Sequence, residues 1–262
     1  MELDVIYNED CYEAIKKIPD KSIDLIVTDP PYEIEGIHGS GIMKHRYETA
    51  DVCHAREILE NDLHKGIDLK ILNEYVRVLK KINIYIWCNK EQIYDYMTYF
   101  VKERNCNFEI LIWAKENPTP FCGTHYLKDK EYCLYFWEQG APVNIPFDRA
   151  RTYLISKTNR EDKEKYNHPT VKPIEFIKKL ILNSSGGGLL IFDPFVGSGT
   201  VCAAAKELGR QFIGFELNPT FYQIAVDRMN GVDQNGVIDL FDSIEDSYEQ
   251  GSLFDEIDEE DK

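Results

Sequence analysis

The sequence predicts an α/β fold built on a doubly wound, mostly parallel sheet with loop insertions. Two short apolar runs support this prediction, Ser22–Thr28 and Gly188–Phe192, because each has the length and composition of a buried strand. The first run ends at Asp29-Pro30-Pro31-Tyr32, and the second ends at Asp193 and a glycine-rich turn. We expect these two strands to be neighbours at the centre of the sheet. Ligands of such sheets bind beyond the carboxyl ends of the strands, so both motifs should face one site.

The second run has the strand, turn and helix of a nucleotide-type cofactor site. Gly197 and Gly199 allow the backbone to approach a ligand closely. A further strand ends at Glu216, roughly twenty residues on, where a carboxylate can hold ribose hydroxyls. No Lys follows the second glycine, which argues against a triphosphate-binding loop. The alternative is a purely structural turn, because such turns also occur without ligands.

The first motif indicates a chemistry for this site. The exocyclic amino group of a base is a poor nucleophile, because its lone pair is delocalised into the ring. Asp29 offers a carboxylate to accept one amino proton, and Pro30, with its fixed φ, holds its carbonyl oxygen as a second acceptor. Tyr32 can stack on a base, which returns ~1–3 kcal/mol against the few kcal/mol of unstacking. The alternative is a Pro-Pro turn capped by an Asp.

Together these motifs resemble those of the DNA amino methyltransferases, which use S-adenosyl-L-methionine to methylate adenine N6 or cytosine N4. The resemblance covers residues 1–229. Because the catalytic motif precedes the cofactor turn, the order resembles that of the circularly permuted group called beta. The resemblance implies a class I, Rossmann-like methyltransferase fold and direct transfer to a flipped base. It assigns catalysis to Asp29, Pro30, Pro31 and Tyr32.

Further blocks agree with this family. Residues 74–80 and the strand Ile82–Cys88 resemble the helix and strand that follow the catalytic loop. Asp10 lies in a segment similar to the opening block, whose acidic residue reaches the cofactor adenine. His168-Pro169-Thr170-Val171-Lys172-Pro173 resembles the block that grips the methionine carboxylate, although such a turn can also be only a helix start. The implied cofactor site comprises Asp10, Cys11, Thr170, Lys172, Asp193, Phe195, Gly197, Ser198, Gly199, Thr200, Glu216 and Asn218.

Length and composition predict one catalytic domain over residues 1–232, since 262 residues with 43% apolar content can bury one sizeable core. No apolar run reaches a membrane-spanning length and the first residues lack the basic start of a signal peptide, so we expect a cytoplasmic protein without a membrane partner. The seven cysteines show no close metal-ligand pairs, so we expect reduced thiols and no metal.

The net charge of −16 is unusual for a DNA-binding protein, but residues 233–262 alone carry −11. Within the body, residues 149–172 carry a local +4. We therefore predict a target-recognition segment over residues 138–167, with a solvated polar loop as the alternative. Residues 33–64 form a second predicted segment, a mobile loop beside the catalytic motif. The candidate DNA contacts are Lys44, Arg46, Arg149, Arg151, Lys157 and Arg160.

The acidic segment 233–262 is predicted to be disordered. Within it, Gln250-Gly251-Ser252-Leu253-Phe254 resembles the peptide by which bacterial proteins dock on the replicative sliding clamp, with Gln250, Leu253 and Phe254 as anchors. The alternative is a tail that packs on the body or keeps the protein soluble.

These inferences predict an adenine-specific, N6-directed DNA methyltransferase, because the carboxylate of Asp29 is a stronger acceptor than the Ser found at this position in other members. Three alternatives stay open: a cytosine-N4 methyltransferase, a non-catalytic regulator that binds DNA or the clamp, and a methyltransferase of RNA or protein. The sequence also leaves open whether the chain forms a homodimer.

Overall fold

The structure of the protein is a computed structural model that describes residues 1–33, 66–118, 126–233 and 236–237. Several sequence predictions lie outside these residues. They are the loop at 33–64 apart from Glu33, the candidate DNA contacts Lys44 and Arg46, and the clamp anchors Gln250, Leu253 and Phe254.

The described chain alternates strands and helices. The strands are β1 (Val5–Tyr7), β2 (Leu25–Thr28), β3 (Asn83–Cys88), β4 (Asn107–Lys115), β5 (Lys130–Trp137), β6 (Tyr153–Ser156), β7 (Leu190–Asp193), β8 (Gln211–Phe215), β9 (Val232–Asp233) and β10 (Gly236–Val237). The α-helices are α1 (Cys11–Ala14), α2 (Ile71–Val78), α3 (Ile93–Met97), α4 (Arg160–Lys165), α5 (Ile174–Ser184), α6 (Thr200–Glu207) and α7 (Pro219–Met229).

Eight of these strands form one sheet in the order β1-β8-β7-β2-β3-β5-β4-β6. Its strands run parallel except for β5, which pairs antiparallel with both β3 and β4. The predicted mostly parallel α/β sheet is therefore confirmed. The antiparallel β5 brings the residues at its start to the edge where β3 and β4 end.

The two strands that carry the motifs are neighbours, as the sequence predicts. Leu25 of β2 pairs with Ile191 of β7, although the residues are far apart in the chain. The strand β2 is shorter than the predicted run Ser22–Thr28, because the N–H groups of Ser22 and Ile23 donate to the carbonyl of Val78. The first part of that run therefore closes the turn beyond α2 instead of joining the sheet.

Helices cover both faces of the sheet, which makes it doubly wound. Side chains alternate along β2, so Ile26 packs in one buried cluster with residues of α1, α2 and α3. Leu25 and Val27 pack in the other cluster with residues of α5, α6 and α7. In the described part of the chain, the sheet is thus the middle of three layers.

Two of the predicted segments contain regular secondary structure. Residues 138–167, the predicted target-recognition segment, contain the edge strand β6 and the helix α4. The short antiparallel pair β9–β10 continues the ordered chain past residue 232, the predicted boundary of the domain. In the part of the chain that the structure describes, no helix is long and apolar enough to cross a membrane.

Candidate active site

A cavity of about 590 Å³ opens at the carboxyl ends of β7 and β2. Asp29 and Pro31 of the catalytic motif are part of its wall. All of the predicted cofactor residues except Gly199 line the same cavity: Asp10, Cys11, Thr170, Lys172, Asp193, Phe195, Gly197, Ser198, Thr200, Glu216 and Asn218. The fold therefore brings the two sequence motifs to a single site, at the point where the strand order reverses.

The turn after β7 has the backbone conformation that its glycines allow. Gly197 has φ +52° and Gly199 has φ +79°, both in the left-handed region. A Cβ on Gly199 would lie 3.2 Å from Cα of Ala225 in α7, so this glycine also permits close packing of the turn against that helix. Gly199 therefore lies on the side of the turn that faces α7, and for this reason it is not part of the cavity wall.

The carboxylate of Glu216 joins the end of β8 to this turn. Its Oε2 accepts a hydrogen bond from the N–H of Gly197 at 2.8 Å, and its Oε1 accepts one from the N–H of Asn218 at 2.8 Å. Burial raises the pKa of Glu216, while these backbone donors oppose the rise. The backbone of Leu217 is a third donor to this carboxylate, which leaves it one lone pair for a ligand hydroxyl.

Two further cavity residues cap helices. Asp10 accepts a hydrogen bond from the N–H of Tyr12 at 2.8 Å at the start of α1. Asn218 accepts from the N–H of Thr220 at 2.8 Å at the start of α7. These caps fix the positions of polar oxygens at the cavity rim.

Asp193 is almost fully buried at the end of β7 and accepts a hydrogen bond from the N–H of Phe195 at 3.1 Å. Burial raises the pKa of its carboxyl to about 8, and the nearby carboxylates of Asp29 and Glu216 add to this effect. Asp193 therefore binds a proton more tightly than an exposed carboxyl group does.

The carboxylate of Asp29 is paired with Lys172, whose Nζ donates to its Oδ2. The same ammonium lies 3.1 Å from Oε2 of Glu131, and Nζ of Lys115 lies 2.5 Å from Oε1 of Glu131. Burial raises the pKa of Asp29, and the charge of Lys172 offsets part of the rise. Lys172, expected from the resemblance to grip the cofactor, is thus also bound to the catalytic carboxylate.

Tyr32 is half-buried and packs against the cluster beneath α5 and α6. Its hydroxyl is buried beside Asp29 without an aligned hydrogen bond among the described residues, and burial raises its pKa well above the usual value. The hydroxyl is therefore protonated at neutral pH, and neither Tyr32 nor Pro30 is among the described residues that line the cavity.

His168 also lines the cavity. The sequence analysis placed it in the block that ends at Pro173 but assigned no function to its side chain. Its Nδ1 accepts a hydrogen bond from the N–H of Thr170 at 3.2 Å, so the proton of the neutral ring lies on Nε2. Burial and the charges of Lys172, Lys163 and Arg228 lower the pKa of His168 to about 3. The ring is therefore neutral, and a Cβ on Gly197 would lie 3.3 Å from its Nε2.

Sequence reasoning also missed Glu131 and Arg228. Glu131 lies in β5, and no local pattern in the sequence links it to Asp29. Arg228 of α7 is buried, donates to Oγ1 of Thr200 at 2.9 Å and lies 4.1 Å from the ring centre of Tyr166. An arginine in an amphipathic helix normally indicates an exposed face, so only tertiary contacts could identify it as a support of the cofactor turn.

The candidate DNA contacts separate into two groups. Nε of Arg149 donates to Oδ1 of Asn183 at 3.1 Å. Asn183 lies near the C-terminal end of α5, and this end of the helix contacts the first residue of β3. Lys179 of α5 donates to the carbonyl of Arg151. The structure therefore places Arg149 toward the amino edge of the sheet, away from Asp29, and does not bring either arginine into the cavity wall.

Lys157 and Arg160 lie on the other side, at the carboxyl edge. Lys157 follows Ser156, which pairs with Lys115 at the end of β4. Arg160 begins α4 and forms an ion pair with Glu164 at 2.6 Å. Of the four arginine and lysine candidates that the structure describes, these two share the edge that carries the cavity.

Comparison with known proteins agrees with this geometry. A family model described as DNA methylase, for N6 and N4 methylation, matches residues 23–227. The type II methyltransferase M.HinfI of Haemophilus influenzae is 31% identical over 258 residues, which cover 89% of this chain and 70% of that protein. The type II methyltransferase M2.LlaDCHI of Lactococcus lactis subsp. cremoris is 28% identical, covering 86% of this chain and 89% of that protein.

Solved structures give the same result. The M1.HpyAVI–SAM complex has a TM-score of 0.60 and 25% identity, covering 85% of this chain and 98% of that chain. PvuII DNA methyltransferase, which is cytosine-N4-specific, has a TM-score of 0.61 at 18% identity, covering 94% and 91%, and this likeness supports the fold alone. Because the family model spans most of the sequence, including both motifs at the cavity, the chain belongs to the DNA methylase family of N6-adenine and N4-cytosine enzymes.

Proposed function

We propose that this protein transfers a methyl group from S-adenosyl-L-methionine to the N6 amino group of adenine in a specific DNA sequence. The observation that carries the proposal is the position of Asp29 and Glu216 in one cavity. Asp29 is an acceptor for amino protons, and Glu216 is an acceptor for ribose hydroxyls. A site that holds both groups can join a nucleoside cofactor to an amino substrate.

The residues of the cavity fit this cofactor. The turn at Gly197 leaves the backbone open to a ligand, and the carboxylate of Glu216 lies beside it as an acceptor. By the family resemblance, Asp10 at the rim would meet the adenine of the cofactor. When bound, S-adenosyl-L-methionine supplies a methyl group on a cationic sulfur, which an amino nitrogen can accept directly. The walls also contain apolar surface for the flat adenine, from side chains that include Tyr12, Phe195 and Phe215.

The protein's own groups prepare the base for this transfer. The carboxylate of Asp29 and the carbonyl of Pro30 accept the two amino protons, which localises the nitrogen lone pair. Oδ2 of Asp29 is held by Lys172, so Oδ1 is the oxygen left for the base. Tyr32 stacks on the flipped base and holds it in plane. As the new bond forms, one amino proton leaves for Asp29.

Adenine is preferred over cytosine because a carboxylate at position 29 is the stronger acceptor. Methylation of cytosine N4 is the second candidate, since the family contains both activities. Both reactions use the same acceptors, so the base must be identified by its product.

The first experiment incubates the protein with labelled S-adenosyl-L-methionine and genomic DNA that lacks adenine and cytosine methylation. Digestion to nucleosides and mass spectrometry then identify the product. We expect N6-methyladenine; N4-methylcytosine would keep the mechanism and change the base. Cofactor binding without any incorporation would contradict the proposal and favour an RNA substrate or a non-catalytic regulator, which competition with single-stranded DNA and RNA would separate.

The second experiment tests the role of Asp29. Asp29→Ala should abolish transfer and leave cofactor affinity nearly unchanged, because the carboxylate acts on the base. Asp95→Ala, at an exposed position of α3, is the matched control and should retain activity. Loss of both transfer and cofactor binding in Asp29→Ala would assign this residue a structural role instead.

A further inference from the structure

Four charged side chains form an unbroken chain of ion pairs beside the cavity. Lys172 donates to Oδ2 of Asp29 and lies 3.1 Å from Oε2 of Glu131. Glu131 in turn meets Lys115, with 2.5 Å between Oε1 and Nζ. The signs alternate from Asp29 to Lys115, so each inner member has an opposite charge on both sides. The two carboxylates and the two ammonium groups cancel.

The chain is well shielded from solvent. The Lys172 side chain is 8% exposed, and those of Glu131 and Lys115 are each 19% exposed. Despite burial, Lys172 and Lys115 lower the pKa of Glu131 to about 2, and the two carboxylates raise the pKa of Lys172. The Glu131 carboxylate and the Lys172 ammonium are therefore firmly charged at neutral pH. Removing one member of such a pair leaves a buried charge without compensation.

The fold explains why Glu131 can reach this position. It lies opposite Trp113 at the start of β5, the one antiparallel strand of the eight-stranded sheet. Because β5 is antiparallel, Glu131 near its start lies at the edge of the sheet where β2 ends in the catalytic motif. The ammonium of Lys172 also lies 5.1 Å from the ring centre of Trp87 and 5.4 Å from that of Tyr32. Aromatic faces and carboxylates together hold the ammonium in place.

We propose that Glu131 is a positioning residue for methyl transfer, which acts through Lys172 to fix the orientation of the Asp29 carboxylate. The inference rests on the proposed function. Glu131 and Lys115 hold the ammonium, the ammonium holds Oδ2 of Asp29, and Oδ1 is thereby kept as the acceptor for the base. A carboxylate without this restraint can rotate, and transfer depends on its alignment.

The arrangement predicts opposite titration shifts for two substitutions. The charge of Lys172 lowers the pKa of Asp29 and the charge of Glu131 raises it, so Lys172→Met should raise this pKa and Glu131→Gln should lower it. Other groups near the cluster act on both variants alike. They are Tyr32, Cys88, Cys133, Lys163, His168 and Asp193.

The experiment measures the titration of Asp29 in the free enzyme, by ¹³C NMR of labelled aspartate carboxyls with Asp29→Asn to assign the signal. We expect a rise of about one pH unit or more in Lys172→Met and a fall in Glu131→Gln. Glu138→Gln, which removes a carboxylate paired with Lys81 just beyond the other end of β5, is the control and should leave the titration unchanged. Equal titration curves in wild type, Glu131→Gln and Lys172→Met would overturn the proposal.

Kinetics provide the second measurement. Glu131→Gln should lower kcat by about tenfold or more without changing KM for the cofactor, since alignment of the acceptor is lost and cofactor binding is not. The double variant Glu131→Gln/Lys172→Met should be no slower than Lys172→Met alone, because Glu131 acts through Lys172. Multiplied losses, or a raised cofactor KM in Glu131→Gln, would contradict the proposal.

Thermal unfolding of each variant separates these effects from loss of the fold. If Lys172→Met does not fold, the comparison of Glu131→Gln with the control Glu138→Gln still tests the proposal. Only Glu131→Gln should have a lower pKa of Asp29 and a lower kcat. If the wild type transfers no methyl group, the proposed function fails, whereas the NMR titration still reports whether Glu131 and Lys172 control Asp29.

Discussion

Oε2 of Glu216 lies 2.8 Å from the backbone nitrogen of Gly197, whose N–H donates to it. This contact joins the end of β8 to the turn after β7, its neighbour in the sheet. The carboxylate proposed to bind ribose hydroxyls therefore also holds the glycine turn in its ligand-binding shape. One side chain would then serve both the shape of the turn and the proposed recognition of the cofactor.

Replacing Glu216 should weaken cofactor binding strongly. We expect Glu216→Ala to raise the Kd for S-adenosyl-L-methionine by about 10- to 100-fold, the loss typical of hydrogen bonds to a charged group. Isothermal titration calorimetry measures this change. Glu207→Ala, which removes a half-exposed carboxylate at the end of α6, is the control. An equal Kd in both variants would show that Glu216 has no part in binding.

Gly214 should tolerate no side chain, because β8 passes close behind the cofactor turn. A Cβ there would lie 2.4 Å from Cγ2 of Val196 and 3.1 Å from Sγ of Cys202. We expect Gly214→Ala to lower the free energy of unfolding by ~1–3 kcal/mol, as overpacking does in cores. Urea denaturation measures it against Gly186→Ala, whose Cβ would meet no atom within 4 Å. Similar stability of the two variants would contradict this account of the packing.

Asp193 should make the protein less stable as pH rises. Burial raises its pKa in the folded state to about 8, above the ordinary value, so the folded protein binds the proton more tightly than the unfolded chain. This contribution is complete below about pH 4 and is lost as pH rises toward 8. Asp193→Asn keeps the acceptor for the N–H of Phe195 and should flatten the decline, gaining on the order of 1–3 kcal/mol over wild type at pH 8. Parallel Tm-against-pH curves for the two proteins would refute the prediction.

His168 should have the opposite effect. Its pKa in the folded state is lowered to about 3, so the unfolded chain binds a proton on His168 more tightly than the folded protein does. Stability is therefore complete above the usual histidine pKa of about 6.5 and is lost as pH falls toward 3. In His168→Asn, the side-chain oxygen of the Asn can still accept from the N–H of Thr170. Between these pH values, the free energy of unfolding of this variant should fall less than that of the wild type. An unchanged pH slope, measured by urea denaturation, would exclude His168 as its source.

The sequence by itself determined the main features of the protein. Two short apolar runs, each followed by a distinct polar motif, predicted adjacent parallel strands, and the pairing of Leu25 with Ile191 confirms them. Strand, turn and helix follow from local rules, because alternating side chains, glycine conformations and caps depend on neighbouring residues. The family model then confirmed the resemblance that these motifs indicated.

Only the tertiary structure decided the partners of the charged side chains. The resemblance assigned Lys172 to the methionine carboxylate of the cofactor, and the fold shows in addition that its ammonium lies between Asp29 and Glu131. Positive charge between residues 149 and 172 predicted a single DNA-facing segment, yet Arg149 packs against Asn183 at the other edge of the sheet. The physical reason is that a local pattern of side chains determines only which face of a strand is buried. An ion pair depends on the order and direction of the strands, and here the antiparallel strand β5 sets both for Glu131.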